Sequence, residues 1–235
     1  NQGAEVSLRL KAKNLVTGLF EPGTTDLSLV PKGDWELRLT SSGATVRELA
    51  ANLNGNAQLS TSAGRMANSR RDMLLFGDLF GNIIDSVNPY YKKEPYTDIT
   101  CAVFPFTFKN GVMTSAPSIV MQTDKLNILS RGKVNLRNEK LDLSFSTKPR
   151  GGIGISAGSI VNPFVRIGGT MAKPAITLDK TGALVTGGAA FFTAGLSLIA
   201  KAAFDAAWRS PDPCGKVLQE SEKLFAKADA NCSNK

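Results

Sequence analysis

The stretch GKVNLRNEKLDLSFSTKPR, Gly132 to Arg150, alternates apolar and polar residues on either side of a polar break. Val134 and Leu136 alternate with Lys133 and Asn135, and Leu141, Leu143 and Phe145 alternate with Asp142 and Ser144. Successive side chains of a strand point to opposite faces, whereas a helix repeats about every 3.6 residues, so this pattern fits strands with one greasy side. Between the two runs, Arg137-Asn138-Glu139-Lys140 reads as a hairpin turn. The functional question is whether that greasy side faces an ordinary core or a ligand.

The same alternation recurs along the chain. Val6-Ser7-Leu8-Arg9-Leu10, Leu27-Ser28-Leu29 and Trp35-Glu36-Leu37-Arg38-Leu39 are short alternating runs separated by Glu21-Pro22-Gly23 and Pro31-Lys32-Gly33-Asp34. They read as antiparallel strands. Thr45 and Glu48 stand three residues apart as a capping box, which predicts a helical turn or two before Leu53-Asn54-Gly55 and a strand over Ala57 to Leu59. Further on, Phe104, Phe106 and Phe108 share one face, and Lys109-Asn110-Gly111 turns the chain. Ile119 with Met121 and Leu126 with Ile128 flank the turn Thr123-Asp124-Lys125, and Ser130-Arg131-Gly132 reads as another break. After a glycine-rich interruption, Val165 and Ile167 pair by pattern with Ile176 and Leu178 around Met171-Ala172-Lys173-Pro174. Strands at roughly eight-residue spacing with short turns predict an antiparallel meander.

Helical periodicity appears in three places. Met73, Phe76, Phe80, Ile83 and Val87 recur every three or four residues, an amphipathic helix over about 69–87 ended by Asn88-Pro89. Thr181 to Ala200 carries no charge and is long enough to cross a bilayer, but its wealth of Gly, Ala, Ser and Thr favours a buried or interfacial helix running on to Arg209. After Pro211-Asp212-Pro213, residues Val217, Leu218, Leu224 and Phe225 lie on one side of a last helix. The expected fold is mainly β with flanking helices (α+β), a curved antiparallel β-meander or groove packed with two or three amphipathic helices. Residues 1–180 form the groove domain with its embedded helix, and residues 181–235 form a C-terminal helical segment.

Composition narrows the chemistry. The 235 residues carry a formal charge of +8, but the 28 Lys and Arg are scattered among 20 acidic residues, and the densest basic spots, Arg70-Arg71 and Lys92-Lys93, are only pairs. A solvated basic surface accounts for this, and no nucleic-acid partner is expected. Histidine is absent, which removes the commonest general base near neutral pH and the commonest nitrogen metal ligand. Three cysteines are too few and too far apart for a thiolate zinc site. Cys214 and Cys232 flank a short helical segment and are expected to form a disulfide in an oxidising compartment, leaving Cys101 alone.

Gly154-Ile155-Ser156-Ala157-Gly158 matches the nucleophile-elbow pattern by letter, but Lys148-Pro149-Arg150-Gly151 precedes it and no histidine can serve the serine. The glycines Gly152, Gly154 and Gly158 lack the spacing of a phosphate-binding loop, and Asp142 and Asp179 sit on polar alternates of strands. No catalytic residue, metal or cofactor is expected. The candidates for contact with a greasy ligand are the apolar alternates Phe104, Phe106, Phe108, Ile119, Met121, Leu126, Ile128, Val134, Leu136, Leu141, Leu143 and Phe145.

An ordered set of segments resembles the C-terminal domain of the AsmA family of Gram-negative envelope proteins. The set runs from Thr45-Val46-Arg47-Glu48-Leu49-Ala50-Ala51-Asn52-Leu53-Asn54-Gly55-Asn56-Ala57-Gln58-Leu59 to Tyr96-Thr97-Asp98-Ile99-Thr100-Cys101 and Lys109-Asn110-Gly111-Val112. It continues through Gly132 to Leu143, Ile167-Gly168-Gly169-Thr170-Met171-Ala172-Lys173-Pro174 and Pro211-Asp212-Pro213-Cys214, so it covers nearly the whole chain. The resemblance implies a non-enzymatic periplasmic module of a protein anchored in the inner membrane, a β-groove that takes part in phospholipid transport and outer-membrane assembly. Its expected partners are phospholipid, envelope or outer-membrane proteins and a membrane surface. The alternative is a scaffold or assembly factor that binds outer-membrane proteins through a sheet edge or the C-terminal helix. The chain opens at Asn1 without methionine and runs straight into a strand pattern, so it reads as an excised or processed piece lacking the family's N-terminal anchor.

Overall fold

The structure, a computed structural model, describes residues 3–16, 25–67, 95–115, 117–150, 164–179, 205–207 and 209–233. The expected helices over 69–87 and 181–200, the segment around Ser156, and the pairs at 70–71 and 92–93 lie outside these residues. The described chain is mainly antiparallel β-sheet with a few helices, as the alternation predicts.

Among the described residues, eleven strands make one sheet. In chain order they are β1 (Ala4–Val16), β2 (Lys32–Gly43), β3 (Asn54–Thr61), β4 (Gly64–Ala67), β5 (Tyr96–Lys109) and β6 (Val112–Ser115). The others are β7 (Ile119–Thr123), β8 (Leu126–Asn135), β9 (Lys140–Pro149), β10 (Phe164–Thr170) and β11 (Lys173–Asp179). Spatial order follows chain order: β3 and β4 together line one side of β5, and β6 and β7 together line the other. The turns at 110–111, 124–125, 136–139 and 171–172 thus connect paired neighbours, the arrangement that short polar loops permit.

Local chemistry sets the corners. Thr45 Oγ1 accepts from Glu48 N at 3.2 Å, and Glu48 Oε2 accepts from Ala44 N at 2.7 Å, so the capping box closes over the short helix α1 (Val46–Ala51) between β2 and β3. Asn110 and Gly111 both have positive φ, 48° and 72°, which suits the two-residue hairpin joining β5 to β6. Leu27-Ser28-Leu29 forms a 3-10 helix rather than the expected strand. Asp26 Oδ1 accepts from Ser28 N at 2.9 Å and from Ser28 Oγ at 2.7 Å, and this local cap outcompetes a ladder.

Ser130-Arg131-Gly132, expected as a break, lies within the unbroken strand β8. Its glycine has another use. The β8 backbone leaves β7 and meets β6 at this point, and Ser115 Oγ accepts the Gly132 N–H at 2.9 Å. Gly132 has φ +154°, and a Cβ there would lie 2.1 Å from Asp142 O on β9.

The C-terminal helix α2 (Pro213–Ser233) starts at Asp212, whose Oδ1 accepts from Gly215 N at 2.9 Å, with Pro213 in the first helical position. It packs on β5, β7 and β3. Cys214 is bonded to Cys101 of β5 across 6.5 Å between Cα atoms. The expected Cys214–Cys232 bridge is therefore not formed. Both residues lie in one continuous helix, which holds them about 27 Å apart, far beyond disulfide reach. The real bridge joins residues 113 apart in sequence, so the chain-entropy model assigns it about 4–5 kcal/mol.

Reduction, or the pair Cys101→Ser with Cys214→Ser, is expected to lower unfolding free energy by roughly 2–5 kcal/mol. Cys232→Ser is expected to change it by less than about 0.5 kcal/mol. Denaturant titrations of the three forms check this, and a large loss for Cys232→Ser would overturn the pairing.

Candidate functional site

Directly opposed residues of an antiparallel ladder share a face, so the register identifies what lies side by side across the sheet. Leu8, Leu39, Gly55, Phe108, Met113, Val134 and Leu141 form one row running from β1 to β9. The next row holds Leu10, Leu37, Ala57, Phe106 and Ser115, and resumes with Gly132, Leu143, Ile167 and Ile176. A third contains Ala12, Trp35, Leu59 and Phe104, then Ile119, Ser130, Phe145, Val165 and Leu178. The fourth is Leu15, Gly33, Thr61, Ala102, Met121, Ile128 and Thr147. No charged side chain occurs in any of them.

Eleven of the twelve candidates from the sequence lie on this face: Phe104, Phe106 and Phe108 on β5, Ile119 and Met121 on β7, Leu126, Ile128 and Val134 on β8, and Leu141, Leu143 and Phe145 on β9. Leu136 falls in the turn just after β8, where its N–H bonds Gly111 O at 2.8 Å. Burial is graded. Met121, Ile128 and Ile167 are at most 2% exposed, whereas Val6, Leu8 and Leu10 on the edge strand β1 are 42–47% exposed. Phe104, Phe106, Phe108, Leu126, Leu141 and Leu143 are intermediate.

The face extends beyond the candidates. β1, β2 and β3 contribute Leu8, Leu10, Trp35, Leu37, Leu39 and Leu59, whose alternation is as plain in the sequence as that of β9. Ile99 and Met66 join the same cluster as Met121 and Ile128. Ile99 was hidden because a register shift between Ile99 and Cys101 reverses the parity of β5 at Thr100.

The opposite face is closed differently. Val103, Val120 and Leu129 pack with Ala207, Cys214 and Val217, with Cys101 and Leu218 at the margin. Ser221 Oγ bonds Gln58 Oε1, and the Arg38 guanidinium lies 5.5 Å from the Phe225 ring centre while pairing with Glu36 at 2.5 Å. Both faces of β5 are thus occupied at Ala102 and Val103, 0% and 3% exposed.

Polar chemistry on the row-bearing face is confined to small hydroxyls. Thr61 Oγ1, Ser130 Oγ and Thr147 Oγ1 are buried without a hydrogen-bond partner among the described residues. The titratable groups that the fold perturbs lie elsewhere. The Asp98 carboxylate, 2.7 Å from Arg65 Nε, raises the Arg65 pKa. Burial lowers that of Arg131 on the α2 side, opposed by the nearby Asp205 charge. Lys223, with help from Lys216, lowers that of Glu220 on α2. Among the described residues no three His, Cys, Asp or Glu side chains gather, and no helix is long and apolar enough to cross a membrane.

No family model, curated protein or solved structure matches the chain.

A buried hydroxyl without a partner costs about 1–3 kcal/mol. Thr147→Val, nearly equal in volume, is expected to raise stability by roughly 1 kcal/mol. A fall in the urea midpoint at unchanged m-value would show that Thr147 Oγ1 is satisfied in solution.

Proposed function

We propose that this chain is a non-enzymatic periplasmic module that holds phospholipid acyl chains against the apolar face of its sheet. The reading agrees with what the resemblance to AsmA-like envelope proteins implies, a part in lipid traffic to the outer membrane. The observation that carries it is the charge-free row from Leu8 to Leu141 across seven strands. At about 4.8 Å per strand spacing the row spans roughly 29 Å. That is about twice the depth of one leaflet of a ~30 Å bilayer core.

Each buried methylene contributes about 0.8 kcal/mol, so tails are held without specific polar contacts. Such a site discriminates little among headgroups. The Cys101–Cys214 disulfide supports an oxidising compartment such as the periplasm.

Phospholipid is expected to co-purify from bacterial envelopes and to be found by mass spectrometry of an extract. Photo-crosslinkers at Phe106 and Leu143 should yield lipid adducts, while one at Lys133, on the opposite alternate of β8, should not. The absence of both lipid and adducts would sink the reading.

A second reading has its own observation. Among the described residues β1 pairs only with β2, so a 13-residue edge strand is open to another chain. An assembly factor would use it to receive an extended segment of an envelope protein by β-augmentation. Arg9→Pro removes one donor from that edge. If the scaffold reading holds, partners recovered by pull-down with the folded variant should diminish; an unchanged set counts against it.

A further inference from the structure

Three turns and a short helix end the sheet on one side, and hydrogen bonds tie them into one rim. Gly111 N bonds Leu53 O just after α1, at 2.9 Å, and Leu136 N bonds Gly111 O at 2.8 Å. Met171 N bonds Glu139 O at 2.9 Å, and Arg137 reaches Ala51 O at 3.2 Å. The rim is basic. Arg47, Lys109, Arg137, Lys140 and Lys173 are all exposed, against the carboxylates Glu48, Glu139 and, at the adjoining start of β1, Glu5, a net of +2. Glu48 is also engaged by Ala44 N in the capping box.

Two apolar side chains project from the same rim. Val46 is 83% exposed beside Arg47, and Met171 is 55% exposed two residues from Lys173. The other end of the sheet differs. Asp26, Asp34, Asp98 and Asp124 are interspersed there with the cations, and Arg65 is paired with Asp98 at 2.7 Å.

We propose that the rim formed by α1 and the turns at 110–111, 136–139 and 171–172 docks onto an anionic bilayer surface. Cations spread along one rim meet lipid phosphates at the surface, where they act within about one Debye length, ~10 Å at 0.1 M salt. Val46 and Met171 enter the headgroup layer beside them, as apolar tips do on interfacial elements. Charge complementarity selects this occupant over an apolar protein surface, which would leave the cations desolvated and unpaired. The inference does not depend on the lipid-holding reading, because it concerns the turns and not the apolar rows.

The test is flotation of the purified chain with vesicles of phosphatidylcholine alone or with one-third phosphatidylglycerol. Binding is expected only to the mixed vesicles and is expected to disappear at 0.5 M salt. Lys109→Gln/Lys140→Gln/Lys173→Gln should weaken it about 100-fold, near five-fold per cation. Lys32→Gln/Lys148→Gln, at the other end, should leave it unchanged. Circular dichroism checks that both variants fold.

Equal binding to the two vesicle types, binding that survives high salt, no binding to either, or equal loss in both variants would overturn the proposal. If the triple variant keeps its co-purified phospholipid yet no longer floats, docking and lipid holding are separate properties. If the wild-type chain floats but carries no lipid, only the lipid-holding reading falls.

Discussion

The register of the antiparallel ladder governs this protein. Every strand pairs with its sequence neighbour or the next, so each apolar alternate is placed opposite another, and the period of two becomes rows across the whole sheet. A slip of one residue in any strand would carry its leucines to the charged side, beside Arg38, Lys133 and Asp142. Where the ladder is interrupted, specific contacts hold the register. Ser115 receives the Gly132 N–H between β6 and β7, and the shift at Thr100 returns Ile99 to the apolar cluster.

The two faces are closed by different means. On one, α2 lies over Val103, Val120 and Leu129 and is held by the disulfide, the Ser221–Gln58 hydrogen bond and the stacking of Arg38 on Phe225. The bridge joins the start of that helix to the central strand, so it fixes which face the helix covers. On the other, the described residues present hydrocarbon that is fully buried at Ile128 and Ile167 but nearly half exposed along β1. Burial there falls toward the edge, as expected of a surface that continues past its own packed centre.

Much of the fold is legible in the sequence because a two-residue period survives any detail of packing. Leu141, Leu143 and Phe145 needed only their spacing, and Val165 and Ile167 pair with Leu178 and Ile176 as their pattern predicts. What failed depended on tertiary geometry. Leu27 to Leu29 alternates like a strand, but Asp26 captures Ser28 and winds it. The expected Cys214–Cys232 pairing fails because closeness in sequence says nothing of closeness in space once a helix separates the residues. Cys101 found its partner through the placement of α2, which no spacing rule encodes. The extent of the apolar face depends on tertiary geometry too: Trp35 and Leu59 lie beside Phe104 only because β2, β3 and β5 are neighbours.

The cationic rim and the apolar rows meet. Phe108, Val134 and Leu141 lie in the row nearest the turns, and Lys109 and Lys140 are the next residues along their strands. A phospholipid is built with the same order, a hydrocarbon body ending in an anionic phosphate. A tail lying on the Leu8–Leu141 row would therefore bring its phosphate within reach of the rim that the proposal sets against a bilayer. Transfer between the two would need no turn of the headgroup through hydrocarbon, the costliest step available to a charged group. The apolar face, with only hydrocarbon and small hydroxyls, discriminates little among headgroups. Selectivity in such an arrangement therefore resides at the rim, in the sign of the headgroup and not in its shape, because the rim offers cations flanked by two apolar tips.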